Sequence, residues 1–162
     1  MPPGSGLDFA LTEEQELLRA EVRRFAEERL RPGLAERDRS HELPVAVLRE
    51  MGEMGLLGML VAEEYGGAGQ DPLTYCLAVE EVARVCPSTA VTMSVTNSVC
   101  QWPIQRFGSD ELRRRVLPEL AAGAEFGGFG LTEPGSGSDA GAMQTVARRD
   151  GDDWILDGQK AW

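Results

Sequence analysis

Lysine, histidine and cysteine are all scarce in this sequence of 162 residues, and each scarcity narrows the chemistry available. Cys76, Cys86 and Cys100 are odd in number and show no CxxC spacing. They do not suggest a disulfide framework or a metal site, and buried, reduced thiols in a cytoplasmic protein are the expectation. His41 is the only histidine and sits in a charged stretch with no serine or cysteine nucleophile motif beside it, so it founds no triad. Lys160 is the only lysine among 16 basic residues, a skew that fits a GC-rich genome rather than a function. Basic charge is short overall. A net charge of −11 argues against a general nucleic-acid binder, and an anionic cofactor would have to be held by local donors. No apolar run is long enough to span a membrane, and Met1-Pro2-Pro3-Gly4-Ser5-Gly6 does not have the form of a signal peptide. The turn Glu63-Glu64-Tyr65-Gly66-Gly67-Ala68-Gly69 has neither the G-x-G-x-x-G order of a dinucleotide loop nor the Lys-Ser/Thr of a P-loop.

What is present is ordinary globular composition, 42% hydrophobic and 27% charged, arranged as a run of helices. Thr12 and Gln15 form a capping box ahead of Leu18, Val22 and Phe25 at helical spacing, and Pro32-Gly33 is the stop. The charged residues 34–41 read as a connection. Pro44 opens a second helix with Val45, Leu48, Met51 and Met54 along one face, closed by Gly55. The apolar run 56–61 reads as a buried connection. Asp71-Pro72 opens a third helix. Its Glu80-Glu81 pair points about 100° apart around the axis, which suits structural roles rather than a shared catalytic proton.

Pro87 ends that helix and Ser88 caps the next, whose residues 89–105 carry no charge. A helix without charge belongs in the middle of a bundle or against a ligand. Thr92, Val95, Thr96 and Val99 share one face. That face either lines a cavity for an acyl chain or is a core face whose threonines bond back to the preceding turn. Pro103 is expected to kink or end the helix. Ser109 starts the last helix, with Pro118 interrupting its pattern and Gly123 closing it.

From Glu125 onward glycine increases and alternation replaces helical spacing. The run Phe126-Gly127-Gly128-Phe129-Gly130-Leu131 reads as a short strand. It leads into Leu131-Thr132-Glu133-Pro134-Gly135-Ser136-Gly137-Ser138-Asp139, where Pro134-Gly135 is a turn pair and only small side chains follow. Such a stretch is either a plain surface loop or a row of donors for a phosphate or a heteroaromatic edge. A strand over 143–149, a turn at Asp150-Gly151-Asp152, a partner strand over 154–156 and the start of another at 158–162 complete the pattern. A lone hairpin is marginal in water, so the chain reads as cut within a second domain. The expected architecture is mainly α: an all-α domain over 1–124, then at 125–162 the first strands of an incomplete β-barrel-like domain.

These landmarks, in this order, resemble the acyl-CoA dehydrogenase family, most closely its short-chain, butyryl-CoA-type members. They comprise the first-helix opening, Glu63-Glu64-Tyr65-Gly66-Gly67, Glu80-Glu81 with Ala83-Arg84, and Met93-Ser94-Val95-Thr96-Asn97-Ser98. Phe107-Gly108, the 131–139 stretch and Gly158-Gln159-Lys160-Ala161-Trp162 follow. The resemblance runs from Leu7 to the last residue. It implies a helical N-terminal domain and the opening strands of the middle β-domain, with the C-terminal four-helix domain absent. It also implies FAD as cofactor, an acyl-CoA substrate oxidised to the trans-2-enoyl-CoA with hydride passing to flavin N5, an electron-transfer flavoprotein as electron acceptor, and a homotetramer of the full-length protein. By the same resemblance Phe129, Gly130, Leu131, Thr132, Gly137, Ser138 and Trp162 contact the cofactor. Thr92, Val95, Thr96 and Ser138 contact the substrate. No residue matches the family's catalytic glutamate, which lies beyond residue 162, and Glu133 is expected to brace its turn. The isolated chain is therefore expected to be inactive. A flavin oxidase or monooxygenase of the same fold, and a non-catalytic helical module that pairs with a partner chain, are the alternatives. The expected location is a bacterial cytoplasm or, in a eukaryote, the mitochondrial matrix.

Overall fold

The structure is a computed structural model and describes residues 9–161. It divides into two compact units, Met1–Gly127 and Gly128–Trp162, each described by itself.

The first unit is helical. Helix α1, Glu13–Phe25, begins with the expected capping box: Thr12 Oγ1 accepts from Gln15 N–H and Gln15 Oε1 accepts from Thr12 N–H. It runs directly into a π-helical turn, Ala26–Leu30, and Gly33, at φ +73°, ends the rod. Residues 34–41, read from sequence as a connection, instead form a short helix α2, Leu34–Ser40. Gly33 opens it in the left-handed region, and Arg37 secures it by reaching back to the Leu30 and Pro32 carbonyls. Helix α3, Val45–Glu53, buries Leu48, Met51 and Gly52, while Val45 and Met54 lie exposed at its two ends. Gly52 is required here by close approach, because a Cβ on it would sit 2.2 Å from the Ala122 carbonyl oxygen.

Helix α4, Pro72–Ala83, is capped by Asp71, whose carboxylate accepts from the Leu73 and Thr74 N–H groups. The next rod starts two residues earlier than expected, with Cys86 rather than Ser88 as N-cap and Pro87 at the first helical position of α5, Pro87–Val95. A π-helical segment, Thr96–Gln101, follows, and then α6, Trp102–Phe107. Pro103 therefore does not end the rod. The wider π turn just before it relieves the clash between the proline ring and the carbonyl four residues back. Helix α7, Asp110–Ala121, likewise runs through Pro118. One missing hydrogen bond in its last turn is outweighed by the burial of Leu117, Leu120 and Ala121.

The core is built from Val22, Phe25, Leu30, Leu48, Met51, Leu57, Ala78, Val82 and Met93, drawn from α1 and the π-helical turn after it, α3, α4, α5 and the 56–61 run. That run carries no regular secondary structure, so its backbone groups need partners. Three amide side chains on the α5–α6 rod provide them. Asn97 Nδ2 donates to the Leu56 carbonyl at 2.9 Å and Asn97 Oδ1 accepts from Leu60 N–H at 3.2 Å. Gln101 Nε2 donates to the Leu57 carbonyl at 2.7 Å, and Gln105 Oε1 accepts from Ala62 N–H at 2.7 Å.

In the helical unit the buried charge among the described residues is Glu81, which meets Arg23 through two hydrogen bonds of 2.6 and 2.8 Å, with Arg19 at 3.5 Å and Arg84 at 3.7 Å. Glu80 points outward, so the pair is divided as expected. Of the cysteines, Cys86 and Cys100 are buried, but Cys76 is exposed on the outer face of α4.

The second unit holds one hairpin, β1 (Val146–Asp150) and β2 (Asp153–Asp157), antiparallel from Val146 opposite Asp157 to Asp150 opposite Asp153. Gly151, at φ +62°, makes the turn. Three strand boundaries differ from expectation. Phe126-Gly127-Gly128-Phe129-Gly130-Leu131 is not a strand, because no neighbouring strand pairs with it among the described residues. β1 begins at Val146 rather than Met143, because the N–H groups of Gln144 and Thr145 go to the Glu133 carboxylate instead of a ladder. Residues 159–161 form no strand either, although Ala161 N–H donates to the Thr132 carbonyl at 2.8 Å.

Candidate functional site

The 131–139 stretch is organised from its turn outward. Glu133 and Ser136 exchange two backbone hydrogen bonds of 2.9 and 3.0 Å across Pro134-Gly135, closing the tight turn that the proline–glycine pair encodes. The Ser136 hydroxyl donates to the Asp139 carbonyl at 2.7 Å and fixes the exit.

Glu133, 5% exposed at its side chain, turns inward from this hairpin. Its carboxylate accepts from Gln144 N–H at 2.6 Å, Thr145 N–H at 3.0 Å and Lys160 Nζ at 2.9 Å. The Thr145 side chain, the Gln144 N–H and the Lys160 ammonium, in that order, hold it down to about 2, against a modest opposing effect of burial. The firm contacts are the two N–H groups and the ammonium, since the Thr145 hydroxyl lies outside hydrogen-bond geometry. A carboxylate so stabilised is a poor proton acceptor. Its role is the bracing one expected from sequence.

With the turn held in this way, the extended segment before it is left with its donors free. The Leu131 and Thr132 carbonyls are taken, by Lys160 Nζ and Ala161 N–H. Among the described residues, no partner takes the N–H groups of Phe129, Gly130, Leu131, Thr132, Gly137 and Ser138, or the Thr132 and Ser138 hydroxyls. Phe129, Gly130, Gly137 and Ser138 are exposed, and Leu131 and Thr132 half-buried. Added Cβ atoms at Gly135 and Gly137 would meet nothing, so a ligand can approach the backbone there. This is a donor-rich strip of small residues with one exposed aromatic ring beside it. Such a strip suits the acceptor edge of a heteroaromatic ring, and to that extent the residues present fit a flavin. Trp162, the remaining cofactor residue expected from sequence, lies outside the described residues.

The expected substrate residues Thr92, Val95 and Thr96 lie in the helical unit, on the α5–π–α6 rod. Thr92 and Val95 are half-buried and Thr96 is buried. Both threonine hydroxyls bond back one turn, Thr92 to the Ser88 carbonyl at 3.1 Å and Thr96 to the Thr92 carbonyl at 2.8 Å. What this face offers outward is therefore apolar surface, chiefly Val95 and the more exposed Val99.

Sequence reasoning assigned nothing to Lys160, whose ammonium sits at the centre of the second unit's polar network. Its isolation as the one lysine among arginines was the available signal.

The helical unit with its capped rods, followed by a donor-rich loop and an exposed hairpin, defines a class that comparison with known proteins identifies. The family described as acyl-CoA dehydrogenase, N-terminal domain, matches residues 12–124, and its middle domain matches residues 128–162. The chain belongs to the acyl-CoA dehydrogenase family.

Among its relatives, mitochondrial short-chain specific acyl-CoA dehydrogenase of Mus musculus is 49% identical over 152 residues. Those residues are 94% of this chain and 37% of the mouse protein. The short-chain specific acyl-CoA dehydrogenase of Clostridium acetobutylicum is 44% identical over 154 residues, 95% of this chain and 41% of that protein. Among solved structures, glutaryl-CoA dehydrogenase from Mycobacterium smegmatis in complex with FADH2 superposes with a TM-score of 0.88 at 41% identity. It is matched over 94% of this chain and 39% of its own. The chain thus spans about two fifths of its relatives' length and corresponds to their N-terminal portion.

Proposed function

We propose that this chain is the N-terminal part of an FAD-dependent acyl-CoA dehydrogenase, of the short-chain type, that converts an acyl-CoA to its trans-2-enoyl-CoA. The observation that carries the reading is the set of donors at 129–132 and 137–138 that no described residue takes, flanking the Glu133 turn in a chain of this family. Bound FAD would supply the hydride acceptor, its N5. The chain's own contribution is to bind and to orient. Leu131 and Thr132 present N–H groups, and Thr132 a hydroxyl, to the polar edge of the flavin. Phe129 adds an apolar neighbour, and Gly137 and Ser138 admit close approach of a phosphate-bearing group. Thr92, Val95 and Thr96 form part of the floor under the acyl chain. By the family resemblance the carboxylate that removes the α-proton has no counterpart in residues 1–162, and Glu133, held by three donors, does not take that part. Electrons leave to an electron-transfer flavoprotein, and the full-length protein is a homotetramer in a bacterial cytoplasm or a mitochondrial matrix.

The test is to express the complete reading frame that contains this chain, measure its flavin content and add butyryl-CoA anaerobically. Stoichiometric FAD whose absorbance bleaches on addition supports the reading. A protein that carries no flavin contradicts it, as does one whose flavin leaves butyryl-CoA untouched and consumes oxygen with another substrate.

A further inference from the structure

Lys160 makes more contacts than a surface lysine needs. Its stem passes Gly130, where an added Cβ would lie 3.8 Å from Lys160 Cγ. Its ammonium has three N–H donors and meets three acceptors: the Leu131 carbonyl at 3.1 Å, Glu133 Oε1 at 2.9 Å and Met143 Sδ at 3.6 Å. Glu133, so engaged, also receives the Gln144 and Thr145 N–H groups. One residue further along, Ala161 N–H reaches the Thr132 carbonyl at 2.8 Å. Three separated pieces of chain, 130–133, 143–145 and 160–161, therefore meet at a single cation.

The consequence is directional. Lys160 and Ala161 take the carbonyls of two successive residues, Leu131 and Thr132. The Leu131 carbonyl shares its peptide plane with the Thr132 N–H, so anchoring it also sets that donor, and the Leu131 and Thr132 N–H groups have no partner among the described residues. Without the ammonium, the Leu131 carbonyl and an inward-facing Glu133 carboxylate would both lose a charge-assisted partner. The segment would then be free to rotate its donors away from where a ligand meets them.

We infer that Lys160 is a positioning residue, a cationic clamp that locks the 130–133 segment to the 160–161 segment so that the Leu131 and Thr132 donors face the cofactor as one rigid strip. This rests on the reading of that strip as a flavin wall. An arginine does not substitute freely among these contacts, because its planar fork is built for paired oxygens rather than three acceptors around one point.

The experiment separates the clamp from the flavin. In the complete reading-frame product, backbone amide exchange is measured for wild type, Lys160→Met and Lys160→Arg. The methionine variant is expected to speed exchange at Gln144, Thr145 and Ala161 by tenfold or more, with arginine restoring part of the protection. Unchanged exchange in Lys160→Met overturns the clamp. In the complete reading-frame product, Lys160→Met is expected to weaken FAD binding about tenfold and shift the oxidised flavin absorption band, with Lys160→Arg intermediate in both. Faster exchange with unaltered FAD affinity and spectrum overturns the positioning role. A wild-type protein that binds no FAD overturns the flavin reading itself, while the exchange data still decide whether the clamp exists.

Discussion

Glu133 and Glu81 are both buried carboxylates, but their partners differ. Glu133 is held by local N–H groups and one ammonium, and it shapes a loop. Its carboxyl lies near 2 instead of the usual 4.5, so the order it provides is fully present above about 4.5 and is lost as pH falls through about 2. The expected outcome is that its side-chain carbonyl NMR signal keeps the ionised position until pH approaches 2, with the Gln144 and Thr145 amides losing protection over the same range. Titration near 4.5 would remove the brace from the account.

Glu81 instead ties α1 to α4. Arg23's hydrogen bonds hold its carboxyl below the ordinary value against the opposing effect of burial, and the charges of Arg23, Arg84 and Arg19 add to them. Glu81→Gln keeps the shape but removes the charge. It should lower unfolding stability by about 2 kcal/mol in urea titration, the scale of hydrogen bonds to a charged group with half-exposed partners. A neutral result would mean the arginines simply turn to solvent.

Among elements, those with local signals were legible in the sequence. Thr12 with Gln15, Asp71 with Pro72, and Ser109 each announced a helix start, because a cap is a contact between residues two or three apart. Asp150-Gly151-Asp152 announced the hairpin turn for the same reason. Features set by distant partners were not legible. The helix Leu34–Ser40 depends on Arg37 reaching the end of the previous rod. The start of β1 depends on a carboxylate eleven and twelve residues upstream. The π segment Thr96–Gln101 has no propensity signature, and it carries Asn97 and Gln101, which together with Gln105 on α6 serve the 56–62 backbone. Asn97→Leu leaves the Leu60 N–H and the Leu56 carbonyl without their partner. It should cost about 2–3 kcal/mol in denaturant unfolding, whereas Ser138→Ala, on the exposed strip, should be nearly neutral.

For the whole molecule, the match of the family's N-terminal domain to residues 12–124 and of its middle domain to 128–162 shows the family. The change from helices to glycine-rich β structure was legible in the sequence, and no helix among the described residues is long and apolar enough to cross a membrane. The candidate site was legible as a loop that could hold a ligand. The contacts that hold its donors outward were not, because Lys160 and Glu133 are 27 residues apart and meet only in the fold. In the proposed function this chain supplies one wall of a cofactor site and no general base. The most direct measurement is butyryl-CoA-dependent dye reduction by the purified 162-residue chain with saturating FAD added. The expected rate does not exceed that of FAD alone, and turnover above that control would contradict the account.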